Sequence, residues 1–217
     1  MSIVHHLNDD LVVSYAAGAL SEGWSIAVAT HLALCPSCRR RLAAAEAIGG
    51  SLLENLPAKV PAASSWDAVR ARLSTPDVSD APPAFPSTPV LPQPLRDYVG
   101  GDLGSVRWQA LGKGASQLRI RTRDRSTQVR LLRIPAGRPV PEHTHGGREL
   151  TLVLSGSFHD GDGATIFARG DIEDADASLT HTPTATPQGD CICLAVTDAP
   201  LRFSSWIVRL VQPILGI

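Results

Sequence analysis

Three residues near the amino terminus have types and a spacing that suit a metal ion. His31, Cys35 and Cys38 form the pattern H-x-x-x-C-x-x-C. On a helix, residues four apart lie on one face with about 6 Å of rise between them, so His31 and Cys35 can contact one tetrahedral ion. Pro36 ends a helix and lets the chain turn, which would bring Cys38 in as a third ligand.

A closed structural zinc site has four ligands, so this cluster needs one more. The candidates are His5 and His6, which lie just before a predicted first helix. Either imidazole would clip that helix to the second one, and the spacing does not choose between them. Metal binding contributes about 10 kcal/mol of folding free energy in zinc-finger peptides. The alternatives are a buried helix histidine beside a chance pair of cysteines, and a thioredoxin-like C-x-x-C, for which the surrounding β-α-β pattern is missing.

A second cluster lies in the C-terminal half of the chain. His143 and His145 are two residues apart, so on a strand their side chains share one face. Glu149 follows after Gly146-Gly147 and can return a carboxylate to the same point. Converging imidazole and carboxylate ligands predict a zinc, iron, manganese or nickel site, and the residues do not choose among these metals. The alternative is a barrel mouth lined by histidines that holds no ion.

The same stretch resembles the cupin motif. From Gly137 to Gly156 it reads glycine, five residues, H-x-H, three residues, glutamate, six residues and glycine. Cupins supply a further histidine from a second motif, and Gly170-Asp171 followed by His181 resembles that motif, without its usual proline and with a longer spacing. The resemblance implies these metal ligands: His143, His145, Glu149 and His181.

Two further cysteines, Cys191 and Cys193, alternate along a predicted strand, so both thiols share one face. Residues two apart on a strand lie near the upper limit of Cα separation for a disulfide, so we do not expect a bond between them. We interpret them as small buried residues. If their face is the barrel interior, the thiols could also approach the metal.

The elements that position these clusters divide the chain into two units. Residues 1–75 predict a small zinc-stapled helical bundle, whose core would be marginal without the metal. Residues 76–94 hold seven of the 17 prolines and predict an extended linker. Residues 95–217 predict an antiparallel β-barrel of short strands, so the fold class is α+β with two domains. The predicted helices cover 8–20, 22–35, 39–53 and 64–73, and the predicted strands cover 117–121, 128–134, 149–154, 165–167, 191–196 and 201–203; the acidic stretch 160–176 predicts a turn.

The composition excludes several classes of protein. Hydrophobic residues make up 43% and charged residues 19% of the 217 residues, as in a compact folded chain rather than a disordered one. Twenty basic against 21 acidic residues give a net charge of -1, so direct nucleic-acid binding is not expected. No apolar run reaches the roughly 20 residues of a membrane span, and the first eleven residues do not form a signal peptide. We therefore expect a cytoplasmic protein with no membrane association.

A helical H-x-x-x-C-x-x-C unit joined by a proline-rich linker to a cupin resembles the ChrR-type anti-sigma factors. The resemblance extends over almost the whole chain. It implies that zinc is held by the histidine ahead of the first helix and by the cysteine motif, that is, by these residues: His6, His31, Cys35 and Cys38. It also implies that zinc or another divalent transition metal is held by the cupin ligands named above.

The resemblance further implies a function. Members of this family sequester an extracytoplasmic-function type sigma factor and release it under oxidative, singlet oxygen-like stress that is sensed through the cupin half. The apolar faces of the helices would dock between the two domains of the sigma factor and cover its contacts with RNA polymerase. The main alternative is a metal-dependent cupin enzyme, a dioxygenase or isomerase, with the helices as an accessory unit and an open metal position beside a pocket. A DNA-binding zinc regulator is disfavoured because residues 1–75 carry six basic and six acidic side chains. The oligomeric state stays open.

Overall fold

In the computed structural model the described residues are 2–62, 64–74, 88–161 and 163–203, with helices first and strands after them. Residues 75–87, which include most of the predicted linker, and the C-terminal residues 204–217 lie outside this description. The helices are α1 Asp9–Ala16, α2 Glu22–Leu34, α3 Pro36–Glu54, α4 Ser64–Leu73 and α5 Gln93–Val99, and Leu103–Ser105 is a 3-10 helix. The strands are β1 Gln109–Gly112, β2 Ala115–Ile120, β3 Gln128–Ile134, β4 His143–His145, β5 Glu149–Ser155, β6 Ser157–His159, β7 Ile166–Ala168, β8 Ile172–Ala175, β9 Thr180–His181, β10 Thr184–Ala185, β11 Cys191–Thr197 and β12 Leu201–Phe203. This order confirms the predicted α+β class.

The junction between α2 and α3 is tighter than the sequence predicts. Helix α2 ends at Leu34 and α3 begins at Pro36, so Cys35 alone separates them. Pro36 is tolerated in the first turn of α3 because the first N–H groups of a helix have no partner within it. The Cys35 Sγ accepts a hydrogen bond from the backbone N–H of Cys38 at 3.4 Å and so caps α3. The turn expected after Pro36 is therefore the first turn of a helix, and this turn carries Cys38.

Helix α5 was not predicted, because its first turn contains Pro94 and lies at the end of the proline-rich stretch. Gly100 ends the helix in the left-handed conformation with φ of 79°, as is common after a helix. Leu91 and Leu95 are fully buried in the main core. Within the described ranges, no helix is both long enough and apolar enough to cross a membrane.

The strands pair antiparallel in three sheets. The largest sheet has the order β1-β2-β3-β11-β5-β8, and two three-stranded sheets have the orders β10-β6-β7 and β12-β4-β9. The predicted β architecture is confirmed, but the described strands do not join into one continuously hydrogen-bonded barrel. The pairing of β4 with β9 places His143 opposite His181, although these residues are far apart in the sequence.

The helices and the largest sheet share one hydrophobic core. Helix α2 contributes Val28, β3 contributes Leu131 and β11 contributes Leu194, and each of these side chains is fully buried. The helical half therefore packs directly on the β half in this structure. Burial of this kind is the main source of folding free energy, so the two halves stabilise each other.

Polar contacts at the edge of this core fix the helices to the strands. Arg148 donates two hydrogen bonds to Asp174 on β8 at 2.6 and 2.8 Å, and one to Asp10 on α1 at 2.7 Å. Asp124, in the loop between β2 and β3, accepts a hydrogen bond from the backbone N–H of Glu22 at 2.7 Å. The first turn of α2 is thus capped by a residue from the β half of the chain, and this is a second link between the halves.

Candidate metal centres

The four predicted ligands of the amino-terminal cluster meet at one point. His31 Nε2 lies 3.3 Å from Cys38 Sγ, and His6 Nδ1 lies 3.3 Å from Cys35 Sγ and 3.6 Å from Cys38 Sγ. All four ligand atoms are within 4.8 Å of one another. A tetrahedron with zinc–ligand bonds of about 2.0–2.3 Å has edges of about 3.3–3.8 Å, so the residues fit a zinc ion.

Three elements bring these ligands together. His6 precedes α1, His31 lies in the last turn of α2, Cys35 separates α2 from α3, and Cys38 lies in the first turn of α3. His31 and both cysteines are buried, whereas His6 is exposed. Burial lowers the pKa of His31 to about 4 and raises the pKa of the Cys38 thiol. At neutral pH His31 is therefore ready to bind a cation, while Cys38 has to lose a proton first.

The structure places His6 and not His5 in the cluster, as the family resemblance implied and the spacing alone did not. The imidazole ring of His5 packs against Phe167 with a centroid distance of 4.3 Å. Its Nδ1 lies 3.6 Å from a carboxylate oxygen of Asp171 in the β half. His6 faces the opposite way, toward the cysteine sulfurs, and is therefore the histidine of the cluster.

Arg41 is a neighbour of the cluster that the sequence analysis missed. It donates hydrogen bonds to the Leu7 carbonyl at 2.7 Å, to Asp9 at 2.5 Å and to Cys38 Sγ at 3.6 Å. The signal in the sequence is its position three residues after Cys38, where the two side chains of a helix lie side by side. Its positive charge favours the thiolate form of Cys38, and it ties α1 to α3.

The second cluster is a triad of buried histidines. His143 and His145 lie on β4, and His181 lies on the neighbouring β9. The Nε2 atom of His181 is 3.1 Å from Nε2 of His145 and 3.2 Å from Nε2 of His143. Burial lowers the pKa of His143 and of His145 to about 4, so both rings are neutral at pH 7, the form in which an imidazole binds a metal. The convergence predicted for these three residues is observed.

Glu149 does not meet the predicted point. Its Oε2 lies 3.6 Å from Nδ1 of His145, the ring nitrogen that faces away from the triad, and its Oε1 accepts a hydrogen bond from Thr151 at 2.9 Å. Glu149 and Thr151 are two apart at the start of β5, so both point to the same face and pair with each other. Burial raises the pKa of Glu149 to about 7. In this structure the carboxylate lies beside the outer nitrogen of His145 and is not a fourth converging ligand.

Two acidic residues at the triad were not foreseen. Asp160 lies 3.2 Å and Glu173 lies 3.5 Å from Nδ1 of His181. Burial lowers the pKa of His181, but the contact and charge of Glu173, with the charge of Asp160, outweigh it, and the pKa is raised overall. The sequence predicted one strand at 165–167, found as β7, and otherwise a turn in this acidic stretch. Strand β8 was not predicted, and the alternation along it points Glu173 inward.

A polar cavity of about 360 Å³ opens beside His181. Its lining consists of Glu142, Asp160, Gly161, Thr165, Thr180, His181 and Thr182. A pocket of this size next to a candidate metal centre meets one of the two requirements of the cupin enzyme interpretation, the pocket but not the open metal position. Geometry therefore does not separate an enzyme from a regulator here.

Cys191 and Cys193 lie on β11 and are both buried, and all four cysteines of the chain are free thiols. Cys191 packs in a small apolar cluster with Phe158 and Phe167. The contact with Cys191 and burial raise the pKa of Cys193 well above that of an ordinary thiol. This agrees with the expectation of small buried residues that are not bonded to each other.

Comparison with known proteins decides the family. Residues 98–200 match the family described as the ChrR cupin-like domain. Over 217 residues, 100% of both chains, the sequence is 48% identical to the anti-sigma-E factor ChrR of Cereibacter sphaeroides. The chain belongs to the ChrR family of anti-sigma factors. Its fold is also similar to a chain in the crystal structure of Rhodobacter sphaeroides SigE in complex with the anti-sigma ChrR, with a TM-score of 0.78 and 46% identity over 90% of this chain and 99% of that one.

The family membership confirms the resemblance stated from the motifs and the cupin fold of the C-terminal half. An anti-sigma factor acts by binding a protein. Membership of this family therefore confirms the prediction of a regulator rather than a cupin enzyme, a distinction that the cavity beside His181 left open.

Proposed function

We propose that the chain is a cytoplasmic anti-sigma factor that sequesters an extracytoplasmic-function type sigma factor. The observation that carries this proposal is full-length identity of 48% to an anti-sigma factor, together with a similar fold in a complex of ChrR with SigE. The proposed division of labour follows the predicted domains. Residues 1–75 bind the partner, and the cupin half, 95–217, receives the signal.

The surface that we assign to the partner is the α3–α4 apolar face. It comprises the large apolar side chains that α3, α4 and the segment between them leave 46–89% exposed: Ile48, Leu52, Leu53, Leu56, Val60, Trp66, Val69 and Leu73. Such a concentration of exposed apolar side chains is typical of a protein interface. By contrast, Val12 on α1 and Val28 on α2 are buried in the shared core and are not available to a partner.

A matched pair of substitutions tests this surface. Ile48 in α3 is 67% exposed and Ile166 in β7 is 54% exposed, so an aspartate at either position leaves the core intact. We expect Ile48→Asp to weaken co-purification of the full chain with its sigma factor at least tenfold, which corresponds to about 1.4 kcal/mol. Ile166→Asp should leave it unchanged. Equal binding by both variants would remove the α3–α4 apolar face from the proposal.

We further propose that zinc holds the partner-binding unit together through four ligands: His6, His31, Cys35 and Cys38. The ion would join the segment before α1 to the end of α2 and the start of α3, and so fix the direction of α3. A zinc ion with four protein ligands has no open position for a substrate, which supports a structural role. We expect Cys35→Ser or Cys38→Ser to lose zinc and sigma binding together, as measured by metal analysis and co-purification. A variant that loses the ion and still binds would contradict this role.

In the cupin half we propose that zinc or another divalent transition metal binds at His143, His145 and His181, with Glu149 in support. This centre would receive the oxidative, singlet oxygen-like signal that leads to release of the sigma factor. We expect His143→Ala to leave sigma binding intact while the response of a sigma-dependent reporter to singlet oxygen falls. Equal loss of binding and response would show that the two halves do not act separately.

A further inference from the structure

The segment that carries His6 is held by the β half of the chain. The carboxylate of Asp171 accepts hydrogen bonds from the backbone N–H groups of Val4 at 2.8 Å and His5 at 2.9 Å. The backbone N–H of Ile172 donates to the carbonyl of His5 at 3.3 Å. These bonds link residues more than 160 positions apart in the sequence and fix the backbone directly before His6.

Side chains on both sides of His6 also contact the β half of the chain. Ile3 lies over Gly170, where a Cβ would be 2.5 Å from Ile3 Cδ1, so only a glycine allows this approach. On the other side of His6, Asn8 donates a hydrogen bond to Asp174 at 2.6 Å and makes no side-chain cap of α1. The segment is thus bound to the turn before β8 and to β8 itself.

We propose that Asp171 is a positioning residue for the amino-terminal metal cluster and acts through His6. The inference rests on the proposed zinc site. His6 is the one exposed ligand of the four and precedes α1, outside any helix or strand, so no hydrogen bonds of regular secondary structure hold its backbone. A ligand on a loosely held segment has to be ordered when the metal binds, which weakens binding. Asp171 makes this ordering part of the folded state.

The arrangement makes the cupin half part of a site whose ligands all lie in the first 38 residues. Groups that orient metal ligands typically change metal affinity by about 10- to 100-fold when they are removed. The same strand that follows Asp171 carries Glu173, which contacts His181 of the histidine triad. Strand β8 therefore contacts both the segment that carries His6 and the histidine triad.

The test is the metal affinity of the cysteine cluster in the full-length protein. Cobalt(II) is the probe, because its charge-transfer absorption reports thiolate ligands and not the histidine triad, and zinc competition then gives the zinc affinity. We expect Asp171→Ala to weaken binding about 10- to 100-fold. The matched control is Asp190→Ala. Asp190 also accepts a hydrogen bond from a backbone N–H, that of Ala136 at 3.2 Å, and pairs with Arg133, but it lies away from the His6 segment, and its removal should leave the affinity unchanged.

Two further variants separate positioning from general damage to the fold. Val4→Pro removes one of the donated N–H groups without altering the cupin half, and a smaller loss of affinity is expected. In a His6→Ala background, Asp171→Ala should cause much less additional loss, because its hydrogen bonds then have no ligand to position and only its charge still acts on His31. Wild-type affinity in both Asp171→Ala and Val4→Pro, or full additivity with His6→Ala, would overturn the inference. Absence of a thiolate spectrum in the wild-type protein would overturn it together with the proposed zinc site, whereas failure of the wild type to bind a sigma factor would affect only the proposed function.

Discussion

The contact between α2 and β3 can be tested with a single methyl group. Gly23 is the second residue of α2 and is buried. A Cβ at this position would lie 2.0 Å from Thr127 Oγ1, 3.0 Å from Thr127 Cβ and 2.8 Å from Val129 Cγ2. The hydroxyl of Thr127 can rotate away, but its Cβ cannot, and the branched side chain of Val129 has little freedom on a strand. Alanine at position 23 therefore forces α2 away from the sheet.

Gly49, in the interior of α3, provides the matched control, because a Cβ there would meet nothing within 4 Å. Replacing a glycine inside a helix by alanine stabilises it by up to about 1 kcal/mol. Gly23→Ala gains less at the start of a helix, and overpacking costs about 1–3 kcal/mol. We expect Gly49→Ala to raise the free energy of unfolding by up to about 1 kcal/mol and Gly23→Ala to lower it by about 1–2 kcal/mol.

The assay is urea unfolding of the zinc-loaded full chain, followed by far-ultraviolet circular dichroism and by tryptophan fluorescence. Circular dichroism reports mainly on the helices, and the fluorescence includes Trp24 on α2 and Trp108 before β1 among the four tryptophans of the chain. Because the halves share one core, the circular dichroism and fluorescence transitions of Gly23→Ala should coincide and have a lower urea midpoint than those of the wild type. Stabilisation of Gly23→Ala by as much as Gly49→Ala would show that α2 does not pack on β3 in solution, and the shared core would have to be abandoned.

Three further predictions concern the metal centres. Zinc binding should release on the order of one proton or more at pH 7, because burial raises the pKa of the Cys38 thiol. Calorimetry in two buffers of different ionisation enthalpy measures the number of protons released. Zinc binding without proton release would contradict this prediction. In the metal-free protein the pKa of His31 is about 4, against 6.5 for an ordinary histidine. Neutral His31 therefore contributes to the free energy of unfolding above pH 6.5, and this contribution is lost as the pH falls toward 4. When the pH is lowered from 7 to 5, the free energy of unfolding of the chelated wild type should fall by roughly 2 kcal/mol more than that of chelated His31→Gln, as measured by urea unfolding. Equal losses in the two proteins would show that His31 is not a buried, neutral histidine. Glu149→Gln should weaken metal binding at the histidine triad about 10- to 100-fold while the cobalt–thiolate spectrum stays unchanged.

Much of each centre could be predicted because its ligands are close together in the sequence. The helical period brings His31 next to Cys35, and the strand period aligns His143 with His145. Both pairs are found as expected. The same periods predicted β3 with its observed bounds, and the order of motifs indicated the family that the comparisons confirm.

Local periodicity predicted the backbone of Glu149 but not the direction of its side chain. The residue begins β5 as expected, yet its carboxylate pairs with Thr151 and the far side of His145. Whether the Glu149 carboxylate reaches the inner or the outer nitrogen of His145 depends on how β5 lies relative to β4. Tertiary packing sets that arrangement, and the spacing of residues in the sequence does not report it.

The sequence by itself determined the two ligand clusters, the helical and β halves, and the family. The tertiary structure decided how one of two adjacent histidines joins the cysteines: Asp171 binds the backbone of His5, and the ring of His6 lies against the sulfurs. It also decided that both halves share one core. The physical reason is range: periods of 3.6 and 2 residues report contacts within one element, whereas contacts between residues more than 160 positions apart arise only when the whole chain has packed.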